Sequence, residues 1–307
     1  MFRRFFRLAE WAIEIASDKP LDDTIECYIP NFLPFAISAD KAADTPELFS
    51  FVLDDSVAAL IDECMERSGV YENTNGQIYI HLSDTNEYTF IIKDLHGELC
   101  AVLKCNADFS AYRCAILGNA DGRIYGLSNA LMLAFVHSGS RHDTVVIHAS
   151  MIRHEGLAYC FVAKSGTGKS TQSANWLKAI PDTDLMNDDN PLLRIRNGVV
   201  MSYGSPWSGK TPCYRDVSAP LGGIINIMRH PTNYVEPLKD VFAYGRVLPS
   251  FSAMKSDVRK YREVCSVVER IVSSVGVYNL YCTQYPESAM VCHETVTRTK
   301  EKQNVTP

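Results

Sequence analysis

The sequence predicts two domains of different class: a β-rich α+β domain over residues 1–138, then an α/β domain over 139–296 organised around a phosphate loop. Three observations lead there. The 307 residues exceed what a single core ordinarily serves, at roughly 100–200 residues per domain. The first half is a series of short alternating strands separated by turns. From Thr144 the pattern changes to continuous apolar strands joined to helices, one of them entered through Ala163-Lys-Ser-Gly-Thr-Gly-Lys-Ser170.

Met1-Phe-Arg-Arg-Phe-Phe-Arg7 has the positive charge of a signal peptide, but Arg7, Glu10 and Glu14 break any apolar core behind it and no small-residue cleavage site follows. It reads as a cytoplasmic start. Gln77–Leu82, Tyr88–Ile92 and Leu99–Leu103 alternate as strands of an antiparallel sheet. Between the early strands, Ser56–Met65 has an N-cap serine and apolar residues at helical spacing, so a helix covers this sheet. Ser128 caps a second helix through Val136, and Ser138-Gly139-Ser140 ends it and marks the domain boundary. No catalytic pattern occurs in this half.

In the second half, Val145–His148 and Leu157–Val162 read as buried strands, Thr171–Ile180 as a helix and Gly223–Met228 as a further strand. Val258, Tyr261, Cys265, Val268 and Val272 form an apolar stripe on a later helix, a core face. Residues 297–307 are polar and charged and read as a disordered tail.

Composition narrows the function. At 46% hydrophobic and 21% charged residues the chain is globular. A net charge of −6 argues against nucleic acid as a partner, so a polar or anionic substrate requires a local positive site. The ten cysteines include no C-x-x-C pair, which leaves no zinc or redox motif; they read as reduced, buried thiols. No window reaches the ~18 uninterrupted apolar residues of a membrane span.

The segment from Ala163 to Ser170 has the form of a phosphate loop with alanine in place of the first glycine. It follows a strand and opens a helix, which aims backbone N–H groups and a helix N-terminus at phosphate oxygens. In that role Lys164, Ser165, Gly166, Thr167, Gly168, Lys169, Ser170 and Thr171 cradle the phosphates of a nucleotide. Lys169 reaches the β and γ phosphates, and the Ser170 hydroxyl takes Mg²⁺. The competing reading is a glycine-rich turn before a helix.

Gly204-Ser-Pro-Trp-Ser-Gly-Lys-Thr211 also fits the pattern. There Pro206 removes an N–H a cradle would use, and Pro212 and Pro220 leave little room for the required helix. This loop reads either as a structural turn or, through Trp207, Lys210 and Arg215, as a wall of an acceptor site. Leu185-Met-Asn-Asp-Asp-Asn190 places two adjacent carboxylates after the phosphate-loop helix. Asp-Asp-Asn-Pro is a good turn sequence, but behind a phosphate loop one acid serves the metal and the other accepts the proton of an attacking hydroxyl.

Taken together these residues resemble the HPr serine kinase/phosphorylases, whose catalytic domain shares the PEP carboxykinase-like P-loop fold. His148 precedes Lys169 by 21 residues, matching a strand-borne histidine of that family; Ser165-Gly-Thr-Gly-Lys-Ser170 matches its loop. Asp188 and Asp189 follow Lys169 at 19 and 20 residues, two further on than the family's pair. The resemblance covers about residues 144–230. It implies an ATP- and Mg²⁺-dependent kinase with Asp189 as general base, Asp188 and Ser170 on the metal side, and His148 and Lys169 as catalytic partners. The implied acceptor is a hydroxyl, on a protein or peptide serine or a small metabolite, and a homo-oligomer is in keeping with the family. Where the family has a metal-binding glutamate this chain has Ser218, with Asp216 the nearest acid, a departure that favours the rival reading of an ATP-binding regulatory module without transfer. Carboxykinase-like chemistry is disfavoured because no second cluster of His, Lys and Asp is visible.

Overall fold

The computed structural model describes residues 1–62, 64, 69–73 and 76–303. The chain divides into two compact units, Met1–Gly139 and Ser140–Pro307, and each is a mixed α/β structure with its own sheet.

The first unit contains β1 (Phe2–Leu8), β2 (Trp11–Ser17), β3 (Ala36–Ile37), β4 (Glu47–Leu53), β5 (Gly69–Asn73), β6 (Gly76–Leu82), β7 (Tyr88–Lys93), β8 (Leu99–Cys105) and β9 (Ala111–Ile116). Their order is β3-β1-β2-β4-β9-β8-β7-β6-β5. The run from β5 to β9 is antiparallel as the alternation predicts, but β4 lies parallel to both β2 and β9. Strand alternation reports which face is buried, not the direction of a neighbour distant in sequence, so this part of the sheet was not legible. The short helices α1 (Asp22–Tyr28) and α2 (Ala39–Ala43) lie in the β2–β4 crossover.

Two expected helices differ at their starts. The segment after β4 opens as a 3₁₀ turn over Asp55–Leu60, capped by Asp54, whose Oδ1 accepts from Ser56 N–H at 2.9 Å, and is α-helical at Ile61, Asp62 and Cys64, while Met65 lies outside the described residues. The long helix, α3, spans Ala120–Gly139, starting well before Ser128. Asn119 is its capping side chain, accepting from Gly122 N–H at 2.9 Å, so Ser128 sits in mid-helix. A Cβ on Gly126 would lie 2.3 Å from the Cys100 carbonyl; glycine lets α3 seat directly on β8.

The second unit contains β10 (Thr144–Val146), β11 (Ala149–His154), β12 (Leu157–Val162), α4 (Lys169–Ala179), β13 (Thr183–Asp189), β14 (Leu192–Arg196), β15 (Val199–Tyr203), β16 (Ser218–Arg229), β17 (Tyr234–Leu238), α5 (Asp240–Val247), α6 (Val258–Ser274), β18 (Gly276–Cys282) and α7 (Glu287–Gln303). The strands run β10-β14-β15-β16-β12-β11-β13, with β18 against β16 and β17 against β18. β12, β16 and β18 are mutually parallel, and β13, antiparallel to β11 like β12, points the same way. Four strand C-termini therefore share one edge, the position at which open α/β sheets bind ligands.

Both faces are covered. Ala149, Met151, Cys160 and Val162 pack with Val264, Val267, Val268 and Ile271 of α6, while Ile152, Tyr159 and Phe161 pack with Trp176 of α4 and Ala289, Cys292 and Val296 of α7. The buried face of α6 is thus rotated from the expected stripe. Val258 is 59% exposed, since it is the first helical residue, directly after Asp257, whose side chain caps the amides of Arg259 and Lys260. Of the expected tail, residues 297–303 continue α7 to Gln303, a helix whose core contacts are Ala289, Cys292 and Val296, spaced as one helical face, and residues 304–307 lie outside the described residues.

Candidate active site

Val162 ends β12, and the chain then turns sharply. The amide of Thr167 donates to the Lys164 carbonyl at 3.1 Å, closing a β-turn whose third residue, Gly166, has φ +74°. That left-handed value is what a type II turn requires and what glycine supplies without strain. Gly168, φ +131°, is the N-cap of α4, and no side chain caps that end. The first-turn amides thus have no partner within the helix and are set for an anion. Arg229, at the end of β16, donates from Nε to the Thr167 carbonyl at 3.0 Å and from Nη2 to the Gly166 carbonyl. It holds those carbonyls outward on one side of the loop. Lys164, Ser165, Ser170 and Thr171 are exposed.

The register brings the remaining residues to this edge. Ala149 of β11 pairs with Val162 on one side and Asp189 on the other, so the preceding residue, His148, stands between the loop and the acid. His148 is not in a strand. β10 stops at Val146, and the His148 amide donates to the Ser250 carbonyl at 2.7 Å. Its Nε2 is 2.9 Å from Lys169 Nζ and its Nδ1 is 3.0 Å from Asp189 Oδ1. Asn190 Nδ2 donates to the other Asp189 oxygen at 2.7 Å. An ammonium can only donate, so the pairing assigns the lone pair to Nε2 and the proton to Nδ1, facing the carboxylate. Burial pushes the Lys169 ammonium below its ordinary value, while Asp189 and Asp188 pull it back.

The two aspartates serve opposite faces of the sheet, as consecutive strand residues must. Asp188 pairs with Ser150, whose Oγ is 2.6 Å from Ser173 Oγ on α4; Asp188 is therefore on the α4 face, under the helix that begins with Lys169 and Ser170. It is 4% exposed, and its carboxylate accepts no hydrogen bond among the described residues. Neither does the Ser170 hydroxyl make one. Two hard oxygen donors with no hydrogen-bond partner among the described residues suit Mg²⁺; no group of three or more His, Cys, Asp or Glu side chains forms a metal cluster among those residues.

Asn187 escaped the sequence reading. It is fully buried, and its Nδ2 points at oxygens of Ser205, Trp207 and Cys213 while its Oδ1 accepts from the amides of Asp189 and Asn190. One side chain thus ties the acidic strand end to the loop 204–213. A polar residue inside the apolar stretch Leu185-Met186 was the available signal. Gly209 of that loop donates to the Asp188 carbonyl, and a Cβ there would stand 3.3 Å from Asp189 Cβ. The second glycine-rich segment thus packs beside Asp189, and it leads into irregular chain and β16 with no helix behind it. Of its three singled-out residues, Trp207 is buried, Arg215 is bound to Asp184 at 2.8 Å, and Lys210 is exposed. Ser218 and Asp216 are exposed. No helix among the described residues is long and apolar enough to cross a membrane.

No family model matches the chain, and no curated protein matches it. Among solved structures, the Hpr(Ser) kinase/phosphatase from Coxiella burnetii is similar over 52% of this chain and 99% of that chain, with 10% sequence identity and a TM-score of 0.30.

Proposed function

We propose that the chain is a phosphotransferase that uses ATP and Mg²⁺ to phosphorylate a hydroxyl group. What supports this is the row Asp189–His148–Lys169, linked at 3.0 and 2.9 Å, at the mouth of an uncapped helix N-terminus. The row supplies a proton acceptor, a residue that orients it, and a cation for phosphate oxygens. When bound, Mg²⁺ neutralises charge on those oxygens, with Ser170 and Asp188 as its ligands. Asp189, held by His148 and Asn190, takes the proton of the acceptor hydroxyl. Such chemistry is mainly positioning and charge stabilisation, and this chain's residues provide both.

The acceptor approaches Asp189 from the strand edge, with the loop 204–213, packed against Asp188 and Asp189, as one wall of its path. Its class is a serine-bearing protein or peptide, or a small hydroxylated metabolite. The test is transfer of the γ-phosphoryl group from ATP with Mg²⁺ to a panel including free serine, serine peptides, HPr and small alcohols. Labelled product with one acceptor supports the proposal. Tight ATP binding with neither transfer nor hydrolysis identifies a nucleotide-sensing module instead.

A further inference from the structure

A cavity of about 540 Å³ opens on the other side of the phosphate loop from His148, lined by Gly168, Thr171, Arg229, Pro231, Thr283 and Gln284 among others. It lies where β12, β16 and β18, the three parallel strands, end. Its size is within the range of small-molecule sites, and Gly166, Thr167 and Gly168 line it directly, so it is contiguous with the candidate phosphate cradle.

The polar atoms of its floor are already spent. Gln172 is buried and donates to Ser288 Oγ at 2.8 Å and to the Thr283 carbonyl at 3.3 Å. The Thr283 amide donates to Asn233 Oδ1 at 2.8 Å, and the Gln284 carbonyl accepts from Asn175 Nδ2 at 3.1 Å. His230 Nδ1 accepts from the Thr232 amide at 3.1 Å. The groups left uncommitted sit on side chains that reach solvent: the hydroxyls of Thr167, Thr171 and Thr283, the Gln284 amide, Arg229 Nη1 and His230 Nε2.

We infer that this cavity holds the nucleoside of the phosphate donor by shape and apolar contact, with little reading of the base; the inference rests on the phosphate-loop reading above. Strong rejection of a near-isosteric ligand comes from buried polar groups left unpaired by it. Every buried polar group named in this floor is paired within the protein, so a change of purine edge leaves none stranded. Adenine and guanine nucleotides bind alike, and the triphosphate without a nucleoside binds more weakly.

The experiment is calorimetric titration of the full chain with ATP, GTP and inorganic tripolyphosphate, each with Mg²⁺, repeated on Thr283→Trp and, should that variant not fold, Gln284→Trp. The expected result is Kd values for ATP and GTP within about tenfold of each other. Both are tighter than tripolyphosphate by at least about tenfold, and the tryptophan removes that advantage while leaving tripolyphosphate affinity unchanged. Equal affinity for ATP and tripolyphosphate, an indifferent tryptophan variant, or a preference of about a hundredfold for one purine overturns the inference while the phosphate loop stands. Failure of all three ligands to bind overturns the loop reading and this inference with it.

Discussion

The imidazole of His148 and the carboxylate of Asp189 are joined at 3.0 Å, Nδ1 to Oδ1, although 41 positions separate them in sequence. The register of β11 between β12 and β13 makes this contact. It fixes the rotamer of a carboxylate whose second oxygen is held by Asn190, leaving Asp189 with one defined orientation toward the loop 204–213.

If Asp189 is the proton acceptor, Asp189→Asn retains the shape and loses the chemistry. In whichever acceptor assay proves active, kcat falls by about 10² or more, while calorimetric ATP affinity stays within a few-fold. A variant that keeps more than a tenth of wild-type kcat assigns the proton elsewhere.

The two glycine-rich loops separate by lysine substitution. Lys169→Ala abolishes ATP binding, because Lys169 is the cation at the uncapped helix end. Lys210→Ala, in the exposed loop beside Asp189, leaves ATP affinity nearly intact and alters acceptor use at most. Titration of both variants with ATP and Mg²⁺ decides it, and loss of binding in Lys210→Ala alone reverses the assignment.

Lys169 also gives the apo protein a pH signature. Its folded pKa is below its unfolded value, chiefly through burial, so between the two the unfolded state binds more protons and stability rises with pH. The cost of the buried ammonium is fully present below the folded pKa and disappears as pH rises toward 10.5, the ordinary lysine value. Melting curves of wild type and Lys169→Met differ most near neutral pH, with wild type the less stable, and converge as pH approaches that value. A gap that widens with pH contradicts the sign.

The glycine-rich turn before α4 and the acid pair were legible as local structure because each is a contiguous pattern with local physics: glycines where φ is positive, a lysine at a helix start, carboxylates at a strand end. That Asp188 and Asp189 face opposite ways was also implicit in strand alternation. The partners of these residues were not legible. Arg229 meets Gly166 and Thr167 only because β16 runs parallel to β12, and Asn187 meets Cys213 only because the loop folds back over the open edge of β13. Ser128 and Val258 misled for a related reason. Apolar spacing marks a helix, but the cap that sets its start was supplied by Asn119 and Asp257, residues ahead of the apolar run.

Asn187 and Gly209 hold the wall beside Asp189, and their substitutions separate packing from chemistry. Asn187→Asp turns a donor facing several oxygens into an acceptor and destabilises more than Asn187→Ala, which leaves buried groups unpaired at a cost of about 1–3 kcal/mol. Gly209→Ala places a Cβ 2.8 Å from the Asp188 carbonyl, which forces the loop outward at a cost of about 1–3 kcal/mol. Denaturant melts rank the three variants, and equal stability of Asn187→Asp and wild type removes Asn187 as the tie between strand and loop.

His148 carries the sharpest test, because its two readings predict opposite results. As a member of the site it orients Asp189 through Nδ1 and presents Nε2 to Lys169, and its side chain is 40% exposed. Removing it therefore strands little buried polar surface. His148→Ala keeps a wild-type melting temperature and loses turnover, and the loss is in kcat, since Lys169 remains to bind phosphate. A histidine serving only the core behaves the other way: its removal lowers stability and leaves the folded fraction active. Melting curves and steady-state rates on one preparation distinguish the two, and a stable His148→Ala with full turnover takes His148 out of the site.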